Sequence, residues 1–415
     1  VLPDASPTPR SVVVVGAGLA GARTVGALRD HGFDGPVTLL GDEGVPPYDR
    51  PPLSKELFAR PEPAWLSGEL DTDVTELADA RLAARATALD VRDDGVRVST
   101  DDGDVTADAV VLAVGSRAVS PWADALTLHS AADADRLRDR LRPGSRLVVV
   151  GAGWVGAEVA GVAAARGVDV TVVEAAAAPL ERQLGDVGAR TVPWYAEAGV
   201  GLRLATPVLD VDAGGVRTAT GRLGADVVLA AVGARPATAW LEASWPDLAL
   251  TADGRVPVDG AGRWRSDAAP ELRQRVWAVG DCAARPHPVF GTVPGGHWSS
   301  ALTDPDATVR ELLALPAVPH PPAPYVFSQQ LGHDLAFFGV RHGDEDVVVR
   351  PLGAGWAALY LAPGAGPRRV LRAAVVADSP RDVGGLRRLL GGAGAVEVDL
   401  DRAADPAVRW RDLPL

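Results

Sequence analysis

"SVVVVGAGLAGARTVGALRDHG", residues 11–32, decides how the chain begins to fold. Four successive valines show no polar–apolar alternation, so they read as a strand buried on both faces, as in a parallel sheet. Glycines 16, 18 and 21 then fit G-x-G-x-x-G. The first glycine of that turn permits the tight bend, the second lets backbone approach a pyrophosphate, and the third lets the next helix pack on the strand. The helix start offers free N–H groups and a positive dipole end to phosphates. A second strand, "PVTLLGDE" at 36–43, completes the context that a nucleotide-binding unit requires.

The device repeats in "SRLVVVGAGWVGAEVAGVAAARGVDVTVVE", residues 145–174, with Gly151, Gly153 and Gly156 in the same frame. Its second strand ends in Glu174, an acid placed to accept hydrogen bonds from both adenosine-ribose hydroxyls. Such an acid repels a 2′-phosphate, and the following "AAAAP" offers no arginine to neutralise one. This site is expected to prefer NADH over NADPH. In the first copy Gly41 holds the equivalent strand end, which leaves Asp42 or Glu43 to serve the ribose. Two dinucleotide sites in one chain point to electron transfer.

Three further apolar strands run into glycine turns: "AVVLAVGSR" (109–117), "VVLAAVGARP" (227–236) and "VWAVGDCA" (276–283). The first two fall where a last strand would close each nucleotide-binding sheet. Asp281 in the third stands at a strand's C-terminal edge, where ligands of open α/β sheets bind, and suits a ribityl hydroxyl of a flavin.

At 415 residues the chain has room for two or three cores, and no apolar run approaches the roughly 20 residues that span a bilayer. The start, "VLPDASPTPR", lacks the regions of a secretory signal, and Cys282 is the single cysteine. A cytoplasmic protein without intramolecular disulfides is expected. A net charge of −13 argues against nucleic acid as a partner. Among 41 basic residues only Lys55, in "PPYDRPPLSKEL" (46–57), is a lysine. A compact ammonium can do what a planar guanidinium cannot, so Lys55 is a candidate functional residue.

The order of an N-terminal G-x-G-x-x-G, "PYDRPPLSK", "GAGWVGAE" and "VGDCA" resembles the FAD-dependent ferredoxin reductases of the putidaredoxin reductase and biphenyl dioxygenase reductase type. The likeness runs from about 11 to 340. It implies an α/β fold with two Rossmann-like dinucleotide-binding domains, as in glutathione reductase, and a C-terminal α+β domain covering the flavin. Residues 1–118 and 245–318 would form the FAD domain, 119–244 the NAD domain and 319–415 the C-terminal domain, which also offers a dimer or partner surface. "LPAVPHPPAP" (315–324) reads as a stiff linker, and an antiparallel sheet followed by a helix is expected beyond it.

The same resemblance implies that Gly16, Gly18, Leu19, Ala20 and Gly21 hold the FAD pyrophosphate and Asp42 its ribose. Arg50, Lys55, Ala86, Gly280, Asp281, Trp298 and Phe327 would line the rest of FAD. Gly151, Gly153, Trp154, Val155, Gly156, Glu158, Glu174 and Gly233 would hold NADH. Lys55 and Glu158 would pair near flavin N5 and stabilise negative charge on the reduced flavin. No metal site is implied. Departures from the family pattern cluster at the flavin's outer face: Gly295–Gly296 where an acid is usual, Phe327 for a tryptophan, Gln329 for an acid, "AVG" at 113–115 for "ATG", and His129 for an arginine.

With no cysteine pair, and no thiol beside Lys55, electrons would leave through the flavin to a one-electron acceptor. An iron–sulfur ferredoxin, docked transiently by charge and serving a P450 or ring-hydroxylating oxygenase, is the expected partner; the chain would be a monomer or homodimer. Arginines in "GPRRVLRA" (366–373) and "SPRDVGGLRRLL" (379–390) are candidates for docking, whereas Arg136, Arg138, Arg140 and Arg142 read as a solvated helix face. The alternatives are an NADH oxidase, a rubredoxin reductase, and a redox-sensing binding protein like apoptosis-inducing factor.

Overall fold

The computed structural model describes residues 8–245, 250–266, 272–293, 295–317, 321–392 and 394–415. The elements that position the candidate site residues are, in chain order, β1 (Val12–Val15), α1 (Leu19–Asp30), α2 (Pro52–Lys55), β2 (Arg146–Val150), α3 (Trp154–Ala164), α4 (Trp298–Leu312) and β3 (Tyr325–Gln330). The chain divides into two compact units, and both are α/β.

The first unit comprises residues up to Asp49, Ala64–Arg117 and Arg235–Pro324. Its five-stranded parallel sheet runs Val276–Ala278, Ala109–Leu112, β1, Val37–Leu40, Asp79–Arg81. All four residues of β1 are buried, because paired strands flank it and apolar layers cover both faces. The expectation that 109–112 closes this sheet needs correction. Val276–Ala278 lies beyond it, with Val276 opposite Val110, so a strand from far along the chain forms the edge. An antiparallel meander follows in Ala86–Arg92, Gly95–Thr100 and Gly103–Ala107.

The second unit comprises Arg50–Pro63, Ala118–Ala234 and Tyr325–Leu415. Its parallel sheet runs Gly201–Arg203, Asp169–Val173, β2, Val227–Ala230, and here the last strand does close the sheet. This unit also has a three-stranded meander, in Val208–Asp212, Gly215–Thr218 and Gly221–Gly224. The repeat therefore extends beyond the glycine motifs. The C-terminal part is the expected antiparallel sheet: β3, His333–Gly339, Arg368–Ala377, Gly355–Leu361 and Asp346–Leu352, with Val396–Asp399 added to Arg368–Ala377. The helix Pro380–Leu390 follows it. Of the expected linker, residues 318–320 lie outside the described residues.

Residues 50–63, which carry Lys55, group with the second unit, and arginines explain why. Arg50 Nη1 donates to the His129 carbonyl at 2.5 Å. Arg138 donates from Nε to Leu57 O at 2.9 Å and from Nη1 to Pro61 O at 3.0 Å. Leu57 is buried in the same core as Leu137 and Val149. Arg138 is thus a staple for this segment, which corrects the reading of 136–142 as a purely solvated face; Arg136, Arg140 and Arg142 are exposed as expected.

Candidate functional site

The glycine turns divide into glycines that the protein itself requires and glycines that it does not. At Gly16, φ is +114° and a Cβ would sit 2.2 Å from Ala113 O; at Gly21 it would sit 1.8 Å from Gly16 O. Gly151 and Gly156 repeat this, with Cβ distances of 2.5 Å to Ala231 O and 2.1 Å to Gly151 O. Strand and helix backbones approach too closely there for any side chain. Gly18 and Gly153 differ. Their φ values of −90° and −81° suit any residue, and a Cβ would meet nothing within 4 Å. Neither backbone strain nor packing demands glycine at those two positions. The open space there leaves room for a group that approaches the backbone closely, as a pyrophosphate does.

Both helices begin right after these open glycines, so Leu19 and Ala20 on α1, and Trp154 and Val155 on α3, contribute first-turn N–H groups. Neither first turn carries an acid that would compete for an anion. The residues present fit two dinucleotides.

The acids at the strand ends are tied down differently. Glu174 accepts from the Ala152 N–H at Oε2 (2.7 Å) and from the Ala176 N–H at Oε1 (2.9 Å). A carboxylate has about four acceptor positions, so with two donors among the described residues Glu174 has acceptor capacity that would suit ribose hydroxyls. Asp42 faces Arg117 Nη2 at 2.5 Å and Arg85 Nη2 at 3.5 Å. Its neighbour Glu43 accepts from the Tyr48 hydroxyl at 2.5 Å. Asp281 accepts from Gly296 N–H (2.8 Å) and Ser116 Oγ (3.0 Å), so the unusual Gly296 serves as its backbone donor. Gly280 holds φ +68° at that turn. Ala86 opens the meander, and Gly233, at φ +114°, follows Val227–Ala230 with open space at its Cβ position. Trp298 opens α4 and donates from Nε1 to Asp49 Oδ1 at 2.8 Å. The residue before it, His297, is buried, and burial holds its imidazole below the ordinary range. Trp298 and Phe327 keep 38% and 40% exposure.

The second unit brings Lys55 and Glu158 together, with Nζ and Oε1 3.0 Å apart and only 15% and 4% of the side chains exposed. Glu158 and Gly161 share one face of α3. A Cβ on Gly161 would lie 2.7 Å from Leu331 N, so that glycine admits the turn after β3. The close approach places Ser328 of β3 against Glu158, and its Oγ donates to Oε1 at 2.6 Å. Ser54 Oγ donates to Oε2 at 2.5 Å. Gln330 Nε2 donates in turn to Ser328 Oγ at 3.0 Å, and Gln330 Oε1 has no partner among the described residues. Ser328 and Gln330 were not singled out from sequence. The only hint is alternation along β3, where Phe327 and Gln329 face out while Ser328 and Gln330 are buried.

The C-terminal arginines are partly committed. Arg369 pairs with Asp346 at 3.5 Å, Arg372 with Asp344 at 2.6 Å, and Arg387 lies 4.8 Å from the Tyr325 ring centroid, while Arg368, Arg381 and Arg388 are exposed. Cys282 is fully buried, and burial pushes its thiol up to about 11. Among the described residues no cluster of His, Cys, Asp and Glu could hold a metal ion, and no helix is long and apolar enough to cross a membrane.

Two open-glycine turns at helix starts and a buried ammonium–carboxylate pair fit an oxidoreductase built on two dinucleotides. The chain belongs to the pyridine nucleotide-disulphide oxidoreductase family, whose pattern matches residues 10–300. It is 33% identical to the ferredoxin–NAD(+) reductase component of the anthranilate 1,2-dioxygenase system of Burkholderia cepacia, over 95% of this chain and 97% of that one. Among solved structures it is similar to Fdr9, at 36% identity and a TM-score of 0.84, covering 97% of this chain and 99% of the other. Putidaredoxin reductase, in its covalent complex with putidaredoxin, is 26% identical with a TM-score of 0.81, and 97% of each chain is covered.

Proposed function

We propose that this protein is an FAD-dependent NADH:ferredoxin oxidoreductase, passing electrons from NADH to a small iron–sulfur protein that supplies a ring-hydroxylating oxygenase or a P450. The observation that carries the reading is the Lys55–Glu158 pair, a buried ammonium at 3.0 Å from a carboxylate in a chain with one, inaccessible, cysteine. A disulfide relay needs two thiols; this chain has one. The relatives that it matches along nearly their whole length are named as ferredoxin–NAD(+) reductases, which supports the same choice.

In this reading the first unit holds FAD: Gly18 leaves room for its pyrophosphate, α1 supplies N–H donors, and Asp42 and Asp281 supply acceptors. The second unit holds NADH: Gly153 and the start of α3 take its pyrophosphate, and Glu174 takes its ribose. FAD held in the first unit would supply the conversion of a two-electron hydride into single electrons. Lys55 keeps N–H groups beyond the one given to Glu158, and its positive charge favours whatever gains electrons beside it. Glu158 neutralises that charge in the resting protein, which limits the cost of burying it. A cytoplasmic location belongs to the same proposal, supported by the near absence of cysteine.

The experiment is a coupled assay. With NADH and a [2Fe–2S] ferredoxin, cytochrome c reduction should depend on the ferredoxin, with little direct oxygen uptake. NADH consumption driven by oxygen alone, unaffected by any ferredoxin, contradicts the proposal.

A further inference from the structure

We infer that Ser54 and Ser328 are positioning residues that hold the Glu158 carboxylate so that it fixes the Lys55 ammonium; this rests on the reductase reading above. Among the described residues the two oxygens of Glu158 have three donors. Oε2 takes Ser54 Oγ at 2.5 Å, and Oε1 takes Ser328 Oγ at 2.6 Å together with Lys55 Nζ at 3.0 Å. Ser54 and Ser328 are 5% and 1% exposed, so water does not replace them. They reach the carboxylate from opposite directions in the chain, one from α2 and one from β3.

A carboxylate held by one donor can rotate about its terminal bond; one held on both oxygens cannot do so without losing a charge-assisted hydrogen bond. Both serines are neutral, so they fix the geometry without changing the net charge of the pair. A third charged donor would have left the site positive before any electron arrived. The Ser328 hydroxyl also accepts from Gln330 Nε2, which polarises it toward donation. Ser54 precedes Lys55 within the same short helix, so one segment both supplies the ammonium and secures its anchor.

Lys55 is the sole lysine, which makes the test direct: lysine labelled at Nζ and Cε gives one side-chain resonance from the whole protein. Ser328→Ala and Ser54→Ala should each move that resonance by more than its linewidth. In a Glu158→Gln background Ser328→Ala should leave it in place, because the serine acts only through the carboxylate. In anaerobic stopped-flow, each serine variant should slow reduction by NADH about tenfold while FAD content and the NADH dissociation constant stay within about twofold. An unmoved resonance in Ser328→Ala overturns the proposal, and so does a wild-type reduction rate or an equal effect in both backgrounds. A wild type that NADH fails to reduce sinks the reductase reading instead, while the resonance still reports the clamp.

Discussion

Glu174 accepts a hydrogen bond from the backbone N–H of Ala152, at 2.7 Å, so the acid that ends one strand also braces the glycine turn that ends its neighbour. In the proposed reading one carboxylate would both shape the phosphate cradle and offer acceptors to the ribose. Glu174→Ala removes both. NADH affinity should fall about tenfold or more, and the preference for NADH over NADPH should narrow. Anaerobic titration with each nucleotide checks this; a wild type that already prefers NADPH would overturn the ribose argument.

The open and closed glycines make opposite predictions. Gly18→Ala places a methyl group in empty space at an ordinary φ, so the fold should survive with a loss of about 1 kcal/mol or less. FAD should nevertheless be lost. Gly16→Ala forces a Cβ against Ala113 O at φ +114° and should cost more than ~2 kcal/mol. Thermal melts read beside flavin content separate the two. Retained FAD in Gly18→Ala would contradict the cradle.

Lys55→Ala should keep FAD and slow flavin reduction by NADH by about 100-fold, in the range seen when one preorganised donor is removed. Lys55→Arg should not restore the rate, because its broad planar fork directs its donors differently from the compact ammonium buried beside Glu158. Single-turnover kinetics measure both.

Cys282 should be dispensable for turnover. Its thiol is buried and pushed up to about 11, so it carries almost no thiolate at neutral pH. Iodoacetamide treatment of the folded protein and Cys282→Ala should both leave the rate of ferredoxin reduction within about twofold. Inactivation by either would reopen a sulfur-based route.

Asp304 on α4 gives a pH-dependent prediction. Burial, partly offset by Arg285 at 3.7 Å, pushes its carboxyl up to about 6 from 3.8. The folded state thus binds this proton more tightly than the unfolded chain does. The resulting stability is fully present below pH 3.8 and is lost as pH rises through 6. Above that pH the ionised carboxylate costs up to ~3 kcal/mol. Asp304→Asn should therefore raise stability at pH 7 and lose its advantage near pH 4, as urea melts at the two values would show.

Local chemistry made the two glycine turns legible, because the needs of a tight strand–helix junction fall on a few adjacent residues. The Lys55–Glu158 pair was legible only through the family's pattern, since nothing in either neighbourhood points to the other. Ser328 was not legible. It lies 170 positions from Glu158, and its role depends on Gly161 admitting one particular turn. The placement of residues 50–63 was equally hidden, because Arg138 reads as one more exposed helix arginine until its two carbonyl partners are known. The C-terminal arginines show the reverse problem: their charge was plain, but the aspartates that hold Arg369 and Arg372 lie across the sheet.

The most direct measurement is the visible spectrum of the purified protein under argon. A yellow protein that bleaches on addition of NADH and regains its colour when oxidised ferredoxin follows is the predicted result. A colourless protein that does not take up FAD, or a yellow one whose colour NADH leaves unchanged, would contradict the account.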